Sequence, residues 1–254
     1  MSFLGVIIGI GAIITANLIE GGNPLALIDI PAVFIVLGSA TGAIVVQFPV
    51  KVIVQALKDI KWLFAPPSYD LQSQLDFIDQ MASTARQQGL LALENSLAGV
   101  KDNFTREGLQ MIVDGTDKDQ LLALLDKQIE EMEYRDDQPA KVWEAMGGYA
   151  PCFGIVGAVL GLIHAMGLLD QPDLLGPAIG VAFVATIYGV VSANLIFFPM
   201  ANRFRTINRG KMEFILMTMD GLVSIATGEN SMQIKRKLSA YLPEGSQGVD
   251  DGKA

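Results

Sequence analysis

Two neighbouring stretches decide how this chain folds: GGYAPCFGIVGAVLG at residues 147–161 and GPAIGVAFVATIYGVVSANLIFFP at residues 176–199. The first has closely spaced glycines and a proline, Pro151, near its start. The second has a threonine, Thr186, near the middle of an apolar run. Each lies in an apolar segment whose length is close to the roughly 20 residues that a helix needs to cross a bilayer. Neither contains a carboxylate. If the protein moves ions, something else must supply the acid.

Four apolar segments of this length occur, at about residues 3–19, 30–48, 148–169 and 176–198. The opening segment lacks a basic start and is long for a cleaved signal peptide, so we expect a retained span. Short connections, EGGNPLALID and DQPDLL, join the first pair and the second pair. The sequence therefore predicts an all-α membrane protein. We expect four transmembrane helices in two hairpins, with a large helical cytoplasmic insert between spans two and three.

Charged residues orient these spans. The two short connections hold acids and no lysine or arginine, whereas basic residues follow span two (Lys51, Lys58, Lys61) and span four (Arg203, Arg205, Arg209, Lys211). Because basic residues stay on the cytoplasmic side, the insert and both termini are predicted to be cytoplasmic. The predicted regions are a transmembrane hairpin at 1–50, a cytoplasmic helical region at 51–147, a second hairpin at 148–199, and C-terminal helices with a flexible tail at 200–254.

Composition excludes several functions. Of the 254 residues, 51% are apolar, which is high for a soluble domain of this length. The net charge of −9 argues against nucleic-acid binding. One cysteine, Cys152, and one histidine, His164, form no metal-binding cluster. No phosphate-binding loop, nucleophile elbow or dinucleotide fingerprint is present, so we expect neither an enzyme nor a cofactor.

The insert and the C-terminal region have helical patterns. VIVQALKDIKWLF (52–64) is predicted to continue span two as an amphipathic helix that APPS (65–68) ends. Gly89 is expected to cap or break a helix, Thr116 with Asp119 resembles a capping box, and residues 121–134 are expected to be helical. A long helix with an apolar face is predicted to follow span four, and GSQGVDDGKA (245–254) to be disordered. Residues 70–138 hold fifteen acids and six bases, either a solvated face or a docking surface for a charged partner.

Small and polar residues mark the spans. Gly154 with Ala158, Gly157 with Gly161, and Gly38 with Gly42 are spaced to let helices pack closely in lipid. Pro151 and Pro199 are either boundary markers or a pair of hinges. Polar side chains inside spans often line a pathway, and the candidates are Thr15, Asn17, Ser39, Thr41, Thr186, Tyr188, Ser192 and Asn194. No Asp, Glu, Lys or Arg lies deep in a span, so we infer a partner helix that carries a carboxylate.

The chain resembles the A subunits of flagellar motor stators, the MotA/PomA family. Four stretches in this order carry the resemblance: ARQQGLLALE (85–94), MIVDGTD (111–117), the third span, and GPAIGVAFVATIYGVVSANLIFFPMANRF (176–204). The resemblance implies a pentamer of this chain around a dimer of a MotB/PomB-like B subunit in the bacterial inner membrane. The B subunit would supply the ion-binding aspartate, and ion flow would turn the pentamer against the rotor protein FliG.

The same resemblance implies roles for individual residues. Arg86 and Glu94 match the charged pair that the family uses against the rotor, and Pro151 and Pro199 match its two functional prolines. Thr186 matches the threonine that faces the ion site. Sodium-driven members have a further threonine where this chain has Ala158. Because sodium needs several oxygen ligands and a proton does not, the resemblance with this departure predicts proton drive.

Two other classes of protein fit this sequence less well. Subunits similar to ExbB or TolQ energise other envelope processes, but they typically have three spans with the large cytoplasmic part after the first. Small-molecule transporters commonly show inverted repeats and broken midplane helices, which this sequence lacks. The two-hairpin layout with ARQQGLLALE in the insert favours the stator.

Overall fold

The structure is a computed structural model that describes residues 2–242, with side chains from residue 4 onward. Within these residues the regular elements are all helical. The α-helices are α1 Ser2–Ile19, α2 Ile30–Val33, α3 Ser39–Gln47, α4 Val50–Lys58, α5 Lys61–Phe64, α6 Leu71–Gln88, α7 Glu94–Leu97, α8 Asn103–Val113, α9 Lys118–Met166, α10 Pro172–Ser192, α11 Phe198–Ala226 and α12 Ser231–Leu238. The predicted all-α class is confirmed.

The chain forms two compact units. Unit 1 comprises the described residues up to Pro66 together with Asp136–Thr206. Unit 2 comprises Pro67–Arg135 together with the described residues from Ile207 onward. One boundary lies between Pro66 and Pro67. The other two fall inside α9 and α11, so each of these helices contributes to both units. The division into 1–50, 51–147, 148–199 and 200–254 concerns membrane topology and stays a prediction.

Three helical stretches are long and apolar enough to cross a membrane. They are Pro24–Gln47, Lys118–Met166 and Pro172–Ala226, and they cover most of the predicted second and third spans and all of the fourth. The helix at Leu4–Ile19 is also apolar but shorter. The arrangement of four spans in two hairpins therefore stays a prediction.

Unit 1 buries small side chains and exposes large ones. One buried cluster contains four alanines with Val36 and Phe197, and Trp143 packs against it with its ring 6.1 Å from that of Phe197. Many large apolar side chains of α1, α9 and α10 are exposed, with Ile163 at 64% and Phe183 at 55%. An exposed apolar surface of this extent suits contact with lipid or with another chain.

Unit 2 has the opposite pattern. Its core is built from large apolar residues of α6, α8, α9, α11 and α12, among them Ile78, Leu109, Leu121, Ile215 and Leu222. The apolar face predicted for the helix after span four is confirmed, because Ile215, Leu222 and Ile225 belong to this core.

One hydrogen-bond network lies inside the core of unit 2. The Gln74 side-chain amide donates to the hydroxyls of Thr105 (3.1 Å) and Thr218 (2.9 Å). All three side chains are buried, and the network therefore satisfies polar groups that would otherwise destabilise the core.

The predicted continuation of span two into an amphipathic helix is wrong at two points. α4 ends at Lys58 and α5 begins at Lys61, so residues 52–64 lie in two helices instead of one. α3 ends at Gln47, and α4 begins at Val50. Phe48 is extended (φ −118°, ψ 145°) because the residue before a proline is disfavoured in the helical region, and Pro49 follows it. The break at residues 65–68 is confirmed, since α5 ends at Phe64.

Of the predictions for Gly89 and Thr116, the first is confirmed and the second is wrong. Gly89 ends α6 with a φ of 85°, which favours glycine, as predicted. The capping box at Thr116 is wrong: Asp117 caps α9, because its carboxylate accepts from the Asp119 N–H at 3.1 Å. Residues 245–254, predicted to be disordered, lie outside the described residues.

The third span is not a separate helix. α9 runs without a break from Lys118 through Gly147 and Gly148 to Met166, and so joins the predicted helix at 121–134 to the predicted span. It contains two prolines, Pro139 and Pro151. Pro139 was not recognised as an interior proline. It deprives the Arg135 carbonyl of its helical donor, at the boundary between the two units.

Candidate functional site

Small residues bring α9 and α10 into backbone contact within unit 1. A Cβ placed on Gly154 would lie 3.0 Å from the Ala185 carbonyl oxygen, and one on Gly161 would lie 2.7 Å from the Cα of Ala182. A Cβ on Gly157 would lie 2.6 Å from that of Ala185. The predicted small-residue interface on the third span is thus confirmed, and glycine is required for the approach.

The second span does not use its glycines in this way. A Cβ added to Gly38 or to Gly42 would meet no atom of the described chain within 4 Å. The predicted packing role of this pair is therefore not met by contacts inside the chain.

Thr186 lies at the closest part of the α9–α10 interface. Its hydroxyl donates to the Gly154 carbonyl oxygen at 3.4 Å, and the side chain is half-buried. Ala158, also half-buried, lies one helical turn after Gly154 on α9. The structure thus brings Thr186 to the helix that carries Ala158. The 3.4 Å separation makes a weak hydrogen bond, which leaves the hydroxyl oxygen able to accept another.

Pro151 faces the same interface from α9. A Cβ on Gly189 would lie 3.0 Å from the Cα of Pro151 and 2.6 Å from the Ala150 carbonyl oxygen. The proline has no N–H, so the Gly147 carbonyl loses its helical donor. Pro151 therefore combines a weakened helix with a close helix contact.

Pro199 follows a helix irregularity that the sequence did not indicate. Residues Ala193–Phe197 form a π-helical turn, and the Phe198 N–H donates to the Ala193 carbonyl, five residues earlier. A second π-helical turn, Phe34–Gly38, separates α2 from α3. Such wide turns are frequent at functional sites. Here one of them ends two residues before Pro199.

Tyr188 is a functional candidate that we counted only as one of several polar residues. Its hydroxyl donates to the Leu27 carbonyl at 2.6 Å and accepts from the Asp29 N–H at 3.1 Å. The Asp29 carboxylate in turn caps α2 through the Ala32 N–H at 3.0 Å. Tyr188 therefore fastens α10 to the connection between α1 and α2. An aromatic hydroxyl in an apolar span was the available signal.

Arg86 and Glu94 lie in unit 2, on either side of one turn. Arg86 is in the last turn of α6, and Glu94 begins α7. Between them Gly89 ends α6 with a positive φ, a 3-10 helix spans Leu90–Leu93, and Leu93 is buried in the core. Both charged side chains are exposed, and neither has a side-chain hydrogen bond or ion pair within residues 2–242. They are free to meet a charged partner.

An ion-pair cluster joins α9 to α11 in unit 1. Arg205 pairs with Glu144, and its Nε lies 3.6 Å from the Asp137 carboxylate. The hydrogen bond to Glu144 raises the pKa of Arg205 above its ordinary value. Arg205 is therefore engaged within the chain, unlike Arg86.

Known proteins resemble this chain over nearly its full length. A family model described as the MotA/TolQ/ExbB proton channel family matches residues 96–216, and one described as motility protein A N-terminal matches residues 3–89. Motility protein A of Helicobacter pylori is 33% identical over 244 residues, which are 96% of this chain and 95% of that protein. The chain belongs to the motility protein A family. It is a stator A subunit of the ion-driven flagellar motor.

Two further comparisons agree with this membership. Chemotaxis protein PomA of Vibrio alginolyticus is 31% identical, over 98% of this chain and 97% of that protein. The structure of Campylobacter jejuni MotAB matches with a TM-score of 0.91 at 27% identity, over 99% of this chain and 98% of that one. The flagellar MotAB stator complex of Bacillus subtilis matches with a TM-score of 0.86 at 32% identity, over 96% of each chain.

Proposed function

We propose that this stator A subunit carries protons along a wall formed by α9 and α10, with the essential acid supplied by a B subunit. One observation carries the proposal: Thr186 places a hydroxyl against Gly154, on helices whose predicted spans contain no Asp, Glu, Lys or Arg. The site therefore has a polar lining and no group that could bind a cation by charge. A carboxylate from another chain would complete it.

The partner assembly follows from the same reasoning. The similar structures from C. jejuni and B. subtilis are of MotAB complexes. We expect a MotB-like subunit to place one membrane helix with an aspartate beside α9 and α10, and five copies of this chain to surround two copies of it. The exposed apolar surface of unit 1 offers the area that such contacts need.

The topology that this function needs is four spans in the inner membrane, with both termini in the cytoplasm. α1 has 18 residues, which at 1.5 Å per residue is about 27 Å, close to the roughly 30 Å of the hydrocarbon core. Basic residues follow the second and fourth spans, and acids occupy the short connections. Both features support the orientation in which unit 2 is cytoplasmic.

Proton drive follows from the oxygen count at the α9–α10 interface. Thr186 supplies one hydroxyl, and Ala158, one turn beyond Gly154, supplies none. Sodium requires several oxygen ligands in place of its hydration shell, whereas a proton needs only the carboxylate and a water path. Without a second hydroxyl, a sodium site would bind its ion more weakly, whereas a proton path would be little affected.

The two prolines would transmit the change in charge at the carboxylate. Pro151 faces Gly189 where the helices touch, and Pro199 follows the π-helical turn at Ala193–Phe197. Helices that lack a regular hydrogen bond bend more readily at that point. We expect both positions to act as hinges between the ion site and the cytoplasmic helices.

The rotor contact would lie on unit 2. Arg86 and Glu94 are exposed and unpaired in the described chain, and they flank a turn that Gly89 and buried Leu93 hold in place. Charges fixed on a rigid turn can read a complementary surface, here that of FliG. Arg86→Glu and Glu94→Lys should each impair swimming while membrane insertion and B-subunit association persist. A double reversal covers redundancy, and normal swimming in all three variants would exclude the rotor contact.

The ion claim is tested in cells whose only stator is this chain with its B subunit. Swimming speed should fall when a protonophore collapses the proton gradient, and it should not change when external sodium is replaced by potassium. Swimming that tracks sodium and survives the protonophore would refute proton drive.

A further inference from the structure

Unit 1 contains an apolar groove that the ion path does not use. It has a volume of about 710 Å³, within the usual range of about 300–1,000 Å³ for small-ligand sites. Val6 of α1, Phe64 of α5, Trp143 of α9 and Met200 of α11 are among its walls. The π-helical turn at Ala193–Phe197 also contributes, and all of the lining residues belong to unit 1.

The polarity of the groove changes in one direction along a single helical face. The lining residues contributed by the π-helical turn and the start of α11 are first apolar (Leu195, Ile196, Met200) and then polar (Asn202, Arg203, Thr206). The twelve residues from Leu195 to Thr206 cover about 17 Å at 1.5 Å per residue. A groove that is apolar at one end and cationic at the other matches an amphiphile with a long tail and an anionic head.

Arg203 has a charge that the chain itself does not neutralise. Its side chain is exposed, and no ion-pair partner occurs for it in the described part of the chain. Arg205, two residues later, is paired with Glu144 and Asp137. A guanidinium binds phosphate oxygens with two parallel hydrogen bonds, so Arg203 suits a phosphate group.

The lining also distinguishes between lipid headgroups. The groove has no carboxylate among its lining residues. The cationic part of a zwitterionic headgroup would therefore meet no acid, while the phosphate of an anionic headgroup would meet Arg203. Basic pockets between membrane helices on the cytoplasmic side bind such headgroups in other proteins.

We infer that this groove binds an anionic phospholipid, with an acyl chain along the apolar lining formed by Val6, Leu195 and Ile196 and the phosphate on Arg203. The inference rests on the proposed function only through the placement of unit 1 in a bilayer. The occupant would touch Pro199, one of the two proposed hinges. The lipid composition of the membrane would thereby affect α11, the helix that follows the fourth span.

Tryptophan fluorescence can test the site directly, because the chain has two tryptophans and one of them, Trp143, lines the groove. The full chain with Trp62→Phe is reconstituted in phosphatidylcholine vesicles. Brominated phosphatidylglycerol or brominated phosphatidylcholine is then titrated in, and acyl-chain bromine quenches a tryptophan that it contacts. We expect an apparent association constant about fivefold higher for phosphatidylglycerol, the effect of one basic residue near the membrane surface.

Matched variants separate the site from general membrane charge. Arg203→Gln should abolish the preference, and Arg203→Lys should keep most of it. Arg209→Gln removes the same charge from another exposed, unpaired arginine of α11 and should leave the preference unchanged.

Three results would overturn the inference. The first is no lipid preference in the parent chain, and the second is an equal loss in Arg203→Gln and Arg209→Gln. The third is cross-linking of a photoreactive residue at Met200 to a second copy of the chain instead of to lipid. Because none of these measurements uses motility, failure here leaves the stator function standing, and a non-motile stator leaves the lipid site standing.

Discussion

Units 1 and 2 bury opposite kinds of side chain. Unit 2 fills its core with large apolar residues such as Leu109, Leu121 and Leu222. Unit 1 buries mainly alanine and glycine, and it exposes residues such as Phe183 and Ile163. The difference shows what holds each unit together: removal of apolar surface from water in unit 2, and close backbone packing in unit 1. The same kind of substitution should therefore have opposite consequences in the two units.

The largest effect is expected from added volume at the α9–α10 contact. Gly189→Val places a side chain where the Ala150 carbonyl and the Pro151 Cα lie 2.6 and 3.0 Å from the Cβ. Neither obstacle is a flexible side chain, so the helices must separate, at a cost of more than about 4 kcal/mol. Size-exclusion chromatography of detergent-purified protein should show little folded variant. Gly180→Val is the control on the same helix, because nothing lies within 4 Å of its Cβ position. Equal yields of the two variants would contradict backbone packing in unit 1.

Substitutions that remove side-chain volume should lower the free energy of unfolding most in the core of unit 2. Leu109 is fully buried, and Leu109→Ala should lower the free energy of unfolding by about 3 kcal/mol through lost burial and the cavity left behind. Denaturant titration of the purified chain gives the change. Leu91→Ala, at a residue 72% exposed in the same unit, should cost less than about 0.5 kcal/mol. A similar cost for both would mean that unit 2 lacks a specific core.

Alkaline pH should weaken unit 2 through Tyr241. Burial, and then the hydrogen bond to Asp220 (2.9 Å), raise the pKa of Tyr241 to about 12 from its ordinary value of 10.0. The fold thus favours the neutral phenol. This contribution is fully present below pH 10 and is lost as the pH rises through about 12, an effect on the order of 1–3 kcal/mol.

A phenylalanine substitution isolates that contribution. Between pH 10 and 12, Tyr241→Phe should lose less unfolding free energy than the parent chain, as measured by denaturant titration at each pH. Leu91→Ala, at an exposed apolar residue of unit 2, should follow the parent profile, because it removes no titratable group. Identical slopes for Tyr241→Phe and the parent would rule out the Tyr241–Asp220 contact as the cause.

The smallest effect on the free energy of unfolding is expected for substitutions that remove exposed side-chain volume from unit 1. Phe183 is 55% exposed on α10, and lipid tails are as apolar as the side chain that they would contact. Phe183→Ala should change the unfolding free energy by less than about 1 kcal/mol, although phenylalanine to alanine in a core costs about 3–5 kcal/mol. A cost equal to that of Leu109→Ala would remove the distinction between the units.

Sequence patterns predicted the helices well and their irregularities poorly. Helical patterns located residues 121–134 of α9 and the apolar face of α11, because burial imposes that spacing. The break at Phe48–Pro49 could have been read from the proline, whereas the choice of Asp117 over Thr116 as the cap depends on backbone angles at a turn. The π-helical turn at Ala193–Phe197 has no composition signal that we know of.

The candidate site shows the same limit. Its glycines, its threonine and its lack of acid were visible in the sequence, but the contact of Thr186 with Gly154 was not predicted. The hydrogen bonds of the Tyr188 hydroxyl with Leu27 and Asp29 could not be predicted from the sequence, because they join residues 161 and 159 positions apart. Contacts at such separation depend on the packing of whole helices.

The central claim is that a carboxylate from another chain meets the wall formed by α9 and α10. Site-directed disulfide formation tests it, since Cys152 is the only cysteine and Cys152→Ser gives a clean background. In that background, Ala158→Cys should form a disulfide with a cysteine placed one turn from the membrane aspartate of the B subunit. Phe183→Cys, exposed on the neighbouring helix, should not. No disulfide at residue 158, or equal yields at 158 and 183, would contradict the account.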